Sequence, residues 1–152
     1  MKNLFDKKVK EEILARVDKL TPNSKALWGK MNVNQNLLHM SVGFDIPTGK
    51  LNPTVAKAVP PIVPKWLLKF FMLNAKIPKG KAETFLELNM VSNDINPTDF
   101  EAERNKLKAA IEDFCKSTSL ITENKFAGKF TKNDWGKLNY NHTDHHLRQF
   151  GA

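Results

Sequence analysis

The chain has 152 residues and a mass of 17.3 kDa, which is the size of one domain with one hydrophobic core. Apolar residues make up 41% and charged residues 26% of it, a globular composition that excludes disorder over the whole length. The net charge of +8 would favour polyanions, but the lysines are spread along the chain, often beside acidic residues, without a dense basic tract. We therefore expect a solvated basic surface and no nucleic-acid partner.

The sequence predicts neither export nor membrane insertion. The N-terminal stretch "MKNLFDKKVKEEILARV" mixes charged and apolar residues, unlike a signal peptide. The longest apolar run, around "WLLKFFML", is far shorter than the ~20 residues that cross a bilayer. Cys115 is the single cysteine, which excludes an intrachain disulfide and a cysteine metal cage. The expectation is a cytoplasmic protein without stable membrane insertion.

The first two predicted elements are amphipathic helices. The apolar stripe of the first consists of Phe5, Val9, Ile13, Val17 and Leu20. Residues 21–24, "TPNS", end this helix. The second helix is predicted to begin after Asn32, whose spacing from Gln35 is typical of a capping box, and it carries His39. Its apolar stripe consists of Val33, Leu37, Met40 and Phe44.

The middle of the chain has a different composition. Residues 46–64 contain five of the eight prolines, which excludes a continuous helix or a central strand there. The stretch "KWLLKFFML" then predicts a short helix, which either packs against the other helices, as we prefer, or forms a membrane-surface patch or a lid. The stretch "TFLELNMV" suits a short strand as well as an irregular segment. This region is therefore predicted to be a long Pro-rich crossover.

Two further long helices complete the prediction. One begins at "NPTDFEAE", where Thr98 and Glu101 have capping-box spacing. Its apolar stripe consists of Phe100, Leu107, Ile111 and Phe114. The last begins after Thr131, with Asp134 three residues on, and runs to about Gln149. The expected fold is all-α, a single-domain four-helix bundle over residues 1–152 with a long Pro-rich crossover between helices 2 and 3.

Three of the four histidines lie within five residues on the last predicted helix, at His142, His145 and His146. At ~100° per residue, His142 and His146 are ~40° apart and share a face with Trp135, whereas His145 lies off that face. Two imidazoles spaced in this way are a standard chelating pair for Zn and similar ions. Rings on an inward face also need partners for their nitrogens.

A third protein ligand could come from one other histidine, His39 on the second helix. His39 has the same helical phase, relative to its N-cap, as the pair on the last helix. It points away from the apolar stripe of its own helix, so either a second face of that helix is buried or His39 is exposed. Spacing alone therefore leaves two hypotheses open, a three-histidine metal site and ordinary core or surface histidines.

The motifs "ALWGKMNVNQNLLHM" and "GKFTKNDWGKLNYNHTDHHLRQFG" resemble the DinB-like superfamily of metal-binding four-helix bundles, also called the DinB/YfiT-like fold. They look most like the branch described as a domain of unknown function, and the resemblance covers the whole chain. It implies His39, His142 and His146 as ligands of Zn or Ni, with His145 at a position that is often histidine without being a ligand. It also implies transfer of a low-molecular-weight thiol to an electrophile, or its use in isomerisation. Relatives often form dimers, which leaves a homodimer open.

Four further side chains are candidates for contacting the substrate or the ligand rings. Asn139 and Gln149 flank the histidine pair, and Gln35, one turn before His39, could orient its ring. Each of these amides is equally compatible with capping or solvent contact. Trp135 is more typical of a core residue than of a substrate wall. Cys115, at the edge of an apolar stripe, indicates a structural thiol.

The leading functional hypothesis is a metal-dependent thiol S-transferase acting on a small-molecule substrate. No protein nucleophile is required, because a metal with three neutral histidine ligands can activate a bound thiol or water. Asp144 is predicted on the opposite side of the last helix, so no carboxylate base is visible beside the histidines. The alternatives are a metal hydrolase with the same site and a non-catalytic metal-binding or interaction bundle.

Overall fold

The computed structural model describes residues 2–54, 63–80 and 84–152. Within them the chain is mostly helical, so the prediction of a mainly helical protein is confirmed. The helices are α1 Lys7–Asp18, α2 Val33–Gly43, α3 Lys65–Asn74, α4 Phe100–Lys116 and α5 Lys132–Gln149. A 3-10 turn at Leu86–Leu88 and a two-stranded hairpin, β1 Glu123–Asn124 and β2 Gly128–Lys129, complete the described elements. The predicted crossover prolines Pro60 and Pro61 lie outside the described residues.

The capping boxes predicted for α2 and α5 are both present. The Asn32 side chain accepts a hydrogen bond from the Gln35 amide, and the Gln35 side chain accepts one from the Asn32 amide. Thr131 and Asp134 make the same reciprocal pair at the start of α5. Each box satisfies two backbone amides that have no partner inside the helix, which fixes where the two histidine-bearing helices begin.

The cap predicted for α4 is wrong by one residue. The helix begins after Asp99, whose carboxylate accepts a hydrogen bond from the Ala102 amide at 3.0 Å. The predicted pair of Thr98 and Glu101 is not formed. Aspartate is as strong an N-cap residue as threonine, and its negative charge is stabilised at the positive end of the helix dipole.

The hydrophobic core lies between α1, α2, α4 and α5. Helix α2 packs against α4 and α5, and α1 packs against the same two helices. Phe114 of α4 is fully buried, and its ring centroid lies 4.9 Å from that of Phe5 and 5.3 Å from that of Phe44. The other fully buried residues of the predicted stripes are Ile13, Val17, Leu20, Leu37, Met40, Leu107 and Ile111. Packing of α2 against α5 is the contact that positions the histidines.

The short helix predicted at "KWLLKFFML" is confirmed as α3, which packs along α5. The Lys69 ammonium lies 2.8 Å from the Asp134 carboxylate, and the Asn141 amide donates to the Leu73 carbonyl at 3.2 Å. The following stretch "TFLELNMV" is irregular with a 3-10 turn, so the strand alternative is wrong there. No helix in the described residues has both the length and the apolar character needed to span a membrane.

The hairpin before α5 was not predicted. Its turn is closed by the Asn124 side chain, which accepts hydrogen bonds from the Phe126 and Ala127 amides, both at 3.0 Å. Gly128 follows with a φ of +73°, a conformation that disfavours residues with a Cβ. Strands of two residues have no readable periodicity, and the asparagine and glycine of the turn were the one available signal.

Candidate metal centre

Helices α2 and α5 bring His39, His142 and His146 together. One ring nitrogen from each lies within 4.8 Å of the other two, and the Nε2 atoms of His39 and His142 are 3.0 Å apart. The ring centroids are separated by 4.4 to 5.0 Å. His39 is 3% exposed and His146 is 8% exposed, whereas His142 is partly exposed. The centre is therefore buried, with His142 nearest to solvent.

A glycine on α2 allows the close approach of α5. Gly43 lies one turn after His39, and a Cβ at this position would lie 3.1 Å from Cε1 of His142. Asn36, His39 and Gly43 are all buried, so α2 has a second buried face beside its apolar stripe. This answers the question that the sequence left open, because His39 lies on that second face and is not exposed.

The ring of His39 is oriented by a backbone carbonyl. Its Nδ1 lies 2.8 Å from the carbonyl oxygen of Leu88, in the 3-10 turn. A carbonyl accepts hydrogen bonds and donates none, so Nδ1 of His39 carries the proton. The Nε2 atom of the neutral ring then presents its lone pair towards His142.

The ring of His146 is oriented through a glutamine. Its Nδ1 lies 2.9 Å from Oε1 of Gln149, and Nε2 of Gln149 donates to the carbonyl of Trp28 at 2.6 Å. Because the Trp28 carbonyl requires a donor, the Gln149 amide must place its oxygen against His146. Nδ1 of His146 therefore carries the proton, which leaves Nε2 as the free nitrogen. Gly29, with a φ of +84°, makes room for this amide, because a Cβ there would lie 2.5 Å from Gln149 Nε2.

The surroundings keep all three rings neutral. Burial lowers the pKa of His39, although its hydrogen bond to the Leu88 carbonyl acts in the opposite direction. Burial, followed by the neighbouring rings, holds the pKa of His142 and of His146 well below the usual range. Neutral imidazole is the form that binds a metal ion, so these pKa shifts favour coordination at neutral pH.

These donors fit a divalent transition-metal ion. Two of the three Nε2 atoms are left unprotonated by the hydrogen bonds at Nδ1, which is the usual arrangement of metal-binding histidines. In a tetrahedral site with bonds of ~2.0–2.1 Å, ligand nitrogens are ~3.3 Å apart. The 3.0 Å separation of the His39 and His142 Nε2 atoms is close to that value. Nitrogen donors of this kind suit Zn or Ni better than Mg or Ca.

His145 lies beside the three rings without joining them. Its ring centroid is 5.0 Å from that of His146 and 5.7 Å from that of Trp28. Its buried Nδ1 has no hydrogen-bond partner among the described residues. Burial and then the charge of Arg148 lower its pKa. The structure thus separates His145 from the pair, as the helical phase predicts.

The remaining predicted side chains make other contacts. Gln35 donates to the Ile95 carbonyl at 3.1 Å and to Asn96 at 3.0 Å, so it fixes the segment before α4 to the start of α2. The His39 ring, which Gln35 was expected to orient, is oriented by the Leu88 carbonyl instead. Asn139 donates to the Trp135 carbonyl at 3.0 Å, within its own helix. The Trp135 indole donates to the Ile121 carbonyl at 2.7 Å, and its ring packs on Phe130 in the core. Among the described residues, Gln149 is the one flanking amide that bonds to a ligand ring.

Two other reactive groups are engaged away from the centre. The Asp144 carboxylate pairs with Arg16 and Arg148, both at 2.8 Å, on the far side of α5 from the ligand rings. The half-buried Cys115 thiol donates to the Leu4 carbonyl at 3.2 Å, and burial raises its pKa to about 11. Neither group is available to the histidines as a base or a nucleophile.

Comparison with known proteins adds no assignment. A scan against models of protein families finds no match, and neither a search of curated proteins nor a search of solved structures finds one. The chemistry of the three histidines and of the groups that orient them is therefore the basis for any functional conclusion.

The backbone groups of this site were missed by sequence reasoning. The carbonyls of Leu88 and Trp28 orient two ligand rings, and a carbonyl has no signature in the amino-acid sequence. Gly29 and Gly43, which make room for Gln149 and His142, were also missed. The spacing of Gly43, one turn after His39, was a usable signal, because a small residue at this position allows close helix contact.

Proposed function

We propose that the chain is a metal-dependent enzyme of the DinB-like class, built as a four-helix bundle of α1, α2, α4 and α5. The observation that supports this proposal most strongly is the convergence of three neutral histidine rings, two of which are fixed by hydrogen bonds at Nδ1. The packing of α2 and α1 against α4 and α5 is compatible with such a bundle. A cytoplasmic location and a small-molecule substrate belong to the same proposal, and a homodimer remains an expectation of the resemblance.

His39, His142 and His146 would hold the ion, Zn or Ni. When bound, it would lower the pKa of a thiol or a water so that the deprotonated nucleophile forms near neutral pH. The chain's own contribution is to keep protons on Nδ1 of His39 and His146 and lone pairs on their Nε2 atoms. Because both rings are buried and already oriented, little reorganisation is needed before binding.

The reaction that fits this site best is transfer of a low-molecular-weight thiol to an electrophile. Thiol transfer needs an activated sulfur on the substrate and no nucleophile from the protein, and the Cys115 thiol is occupied elsewhere. Peptide hydrolysis, by contrast, is usually assisted by a carboxylate base, and Asp144 is held by two arginines. These two features favour S-transfer over hydrolysis.

Activity assays of the metal-loaded protein test this proposal. We expect conjugation of a low-molecular-weight thiol to a model alkylating electrophile to exceed the uncatalysed rate by at least ~100-fold, and hydrolysis of an activated ester to stay near background. The matched variants are His142→Ala, which should abolish conjugation, and His145→Ala, which should retain most of it. Ester hydrolysis without conjugation would favour a hydrolase, and a metal-loaded protein without either activity would favour a binding role.

A further inference from the structure

The net positive charge of this chain is concentrated in one segment, although lysines occur along its whole length. Residues 46–82 contain seven lysines and neither aspartate nor glutamate. Since the whole chain carries +8, the remaining residues together carry a net charge of +1. Two of the seven, Lys57 and Lys81, lie outside the described residues. Four others, Lys50, Lys65, Lys76 and Lys79, are exposed.

Helix α3, in the middle of this basic segment, has an uncovered aromatic face. Its inner side carries Leu73, which is buried, and Lys69, which pairs with Asp134. Its outer side carries Trp66, Phe70 and Phe71, which are 71%, 56% and 54% exposed. The Phe70 and Phe71 rings pack edge to face on each other, at 5.8 Å between centroids, rather than against the core. Three large aromatic side chains on one short helix are thus left in water.

We propose that the outer face of α3 docks on an anionic lipid surface. Tryptophan and phenylalanine insert readily at the boundary between headgroups and acyl chains, and a short amphipathic helix can lie in that plane without spanning the bilayer. Exposed lysines beside such a helix add electrostatic attraction to anionic headgroups. Lys65 at the start of α3 and Lys76 just after its end have this placement. The proposal is independent of the metal centre.

The same observations disfavour two other binding partners for the outer face of α3, a second copy of the chain and a nucleic acid. A second copy of the chain would bring two basic segments together across a symmetric interface, and like charges would repel. The outer face of a helix ~15 Å long is also small beside the ~800 Å² per partner that a stable interface buries. A single-stranded nucleic acid could stack its bases on the aromatic rings, but such binding also uses a positively charged groove that tracks the backbone, and the outer face of a helix is convex.

Vesicle co-sedimentation of the full chain tests this docking surface. We expect binding to phosphatidylcholine vesicles with about 30 mol% phosphatidylglycerol at about 0.1 M salt, and about tenfold weaker binding to pure phosphatidylcholine vesicles. The double variant Trp66→Ser/Phe70→Ser should bind anionic vesicles about tenfold more weakly, because it removes apolar side chains that insert. Val91→Ser, which alters a residue 39% exposed outside the basic segment, is the matched control and should bind as the unmodified protein does.

Fluorescence locates the contact on α3. Trp66 is far more exposed than the core residue Trp135, so vesicle binding should shift tryptophan emission to the blue. Trp66→Phe should keep vesicle binding and lose that shift. The proposal is overturned by no binding to anionic vesicles, by equal binding of the double variant, or by tighter binding to a single-stranded oligonucleotide than to vesicles at the same salt. A dimer that the double variant converts to monomers would also overturn it.

Discussion

Replacement of His142 by alanine is expected to weaken metal binding by more than ~100-fold. The Nε2 atom of His142 lies 3.0 Å from that of His39, and the two remaining histidines would provide one nitrogen each. A site with two neutral nitrogen ligands retains a metal ion poorly against dialysis or a competing chelator. Competition titration with a chromophoric chelator, using Zn and Ni separately, measures the change.

His145→Ala is the matched control for His142→Ala. The two histidines lie three residues apart on α5, so the deletions are equal in size and similar in position. The His145 ring packs beside Trp28, and it belongs to no ligand group among the described residues. Its loss should change metal affinity by less than ~3-fold. Equal losses in the two variants would refute the division of the histidines by helical face.

Gln149→Leu is expected to weaken metal binding by about 10- to 100-fold without removing a ligand. The Gln149 amide joins the Trp28 carbonyl to Nδ1 of His146, and leucine keeps the approximate volume but neither hydrogen bond. The His146 ring could then rotate or take the other tautomer, so that Nε2 would no longer present its lone pair to a metal ion. The same chelator competition measures the affinity.

Gln35→Leu makes the same chemical change in the first turn of α2, the other helix that carries a ligand histidine. The Gln35 side chain bonds to Asn32, Ile95 and Asn96, which engages both its oxygen and its nitrogen away from His39. Its replacement should lower the free energy of unfolding by about 1 kcal/mol through loss of the capping box, with metal affinity changed by less than ~3-fold. If Gln35→Leu weakened metal binding more than Gln149→Leu, the assignment of Gln149 as the orienting residue would be wrong.

The helices could be predicted from the sequence because each carries a local signal. Stripes such as Leu107 and Ile111 recur at the helical period, and the boxes at Asn32 and Thr131 follow from residue type and spacing. The start of α4 was misplaced because adjacent threonine and aspartate residues are both good caps, and the choice between them depends on local geometry.

The site was predictable to the extent that its side chains follow a helical pattern. The spacing of His142 and His146 predicts their shared face, and His39 is the remaining histidine. Which of Gln35 and Gln149 orients a ligand ring was not predictable, because each lies about one turn from a ligand histidine. Their different roles are set by the carbonyls of Trp28, Ile95 and Leu88, which are distant in sequence. Contacts of this kind depend on how the helices and loops pack, which no local pattern contains.

The metal content of protein purified without a histidine tag tests the central claim most directly. After incubation with Zn or Ni and removal of excess ion, elemental analysis should find about one metal ion per chain, held by His39, His142 and His146. The account is contradicted if the folded protein retains less than about 0.2 ion per chain under both conditions, because three buried, oriented and neutral imidazoles would then have another role.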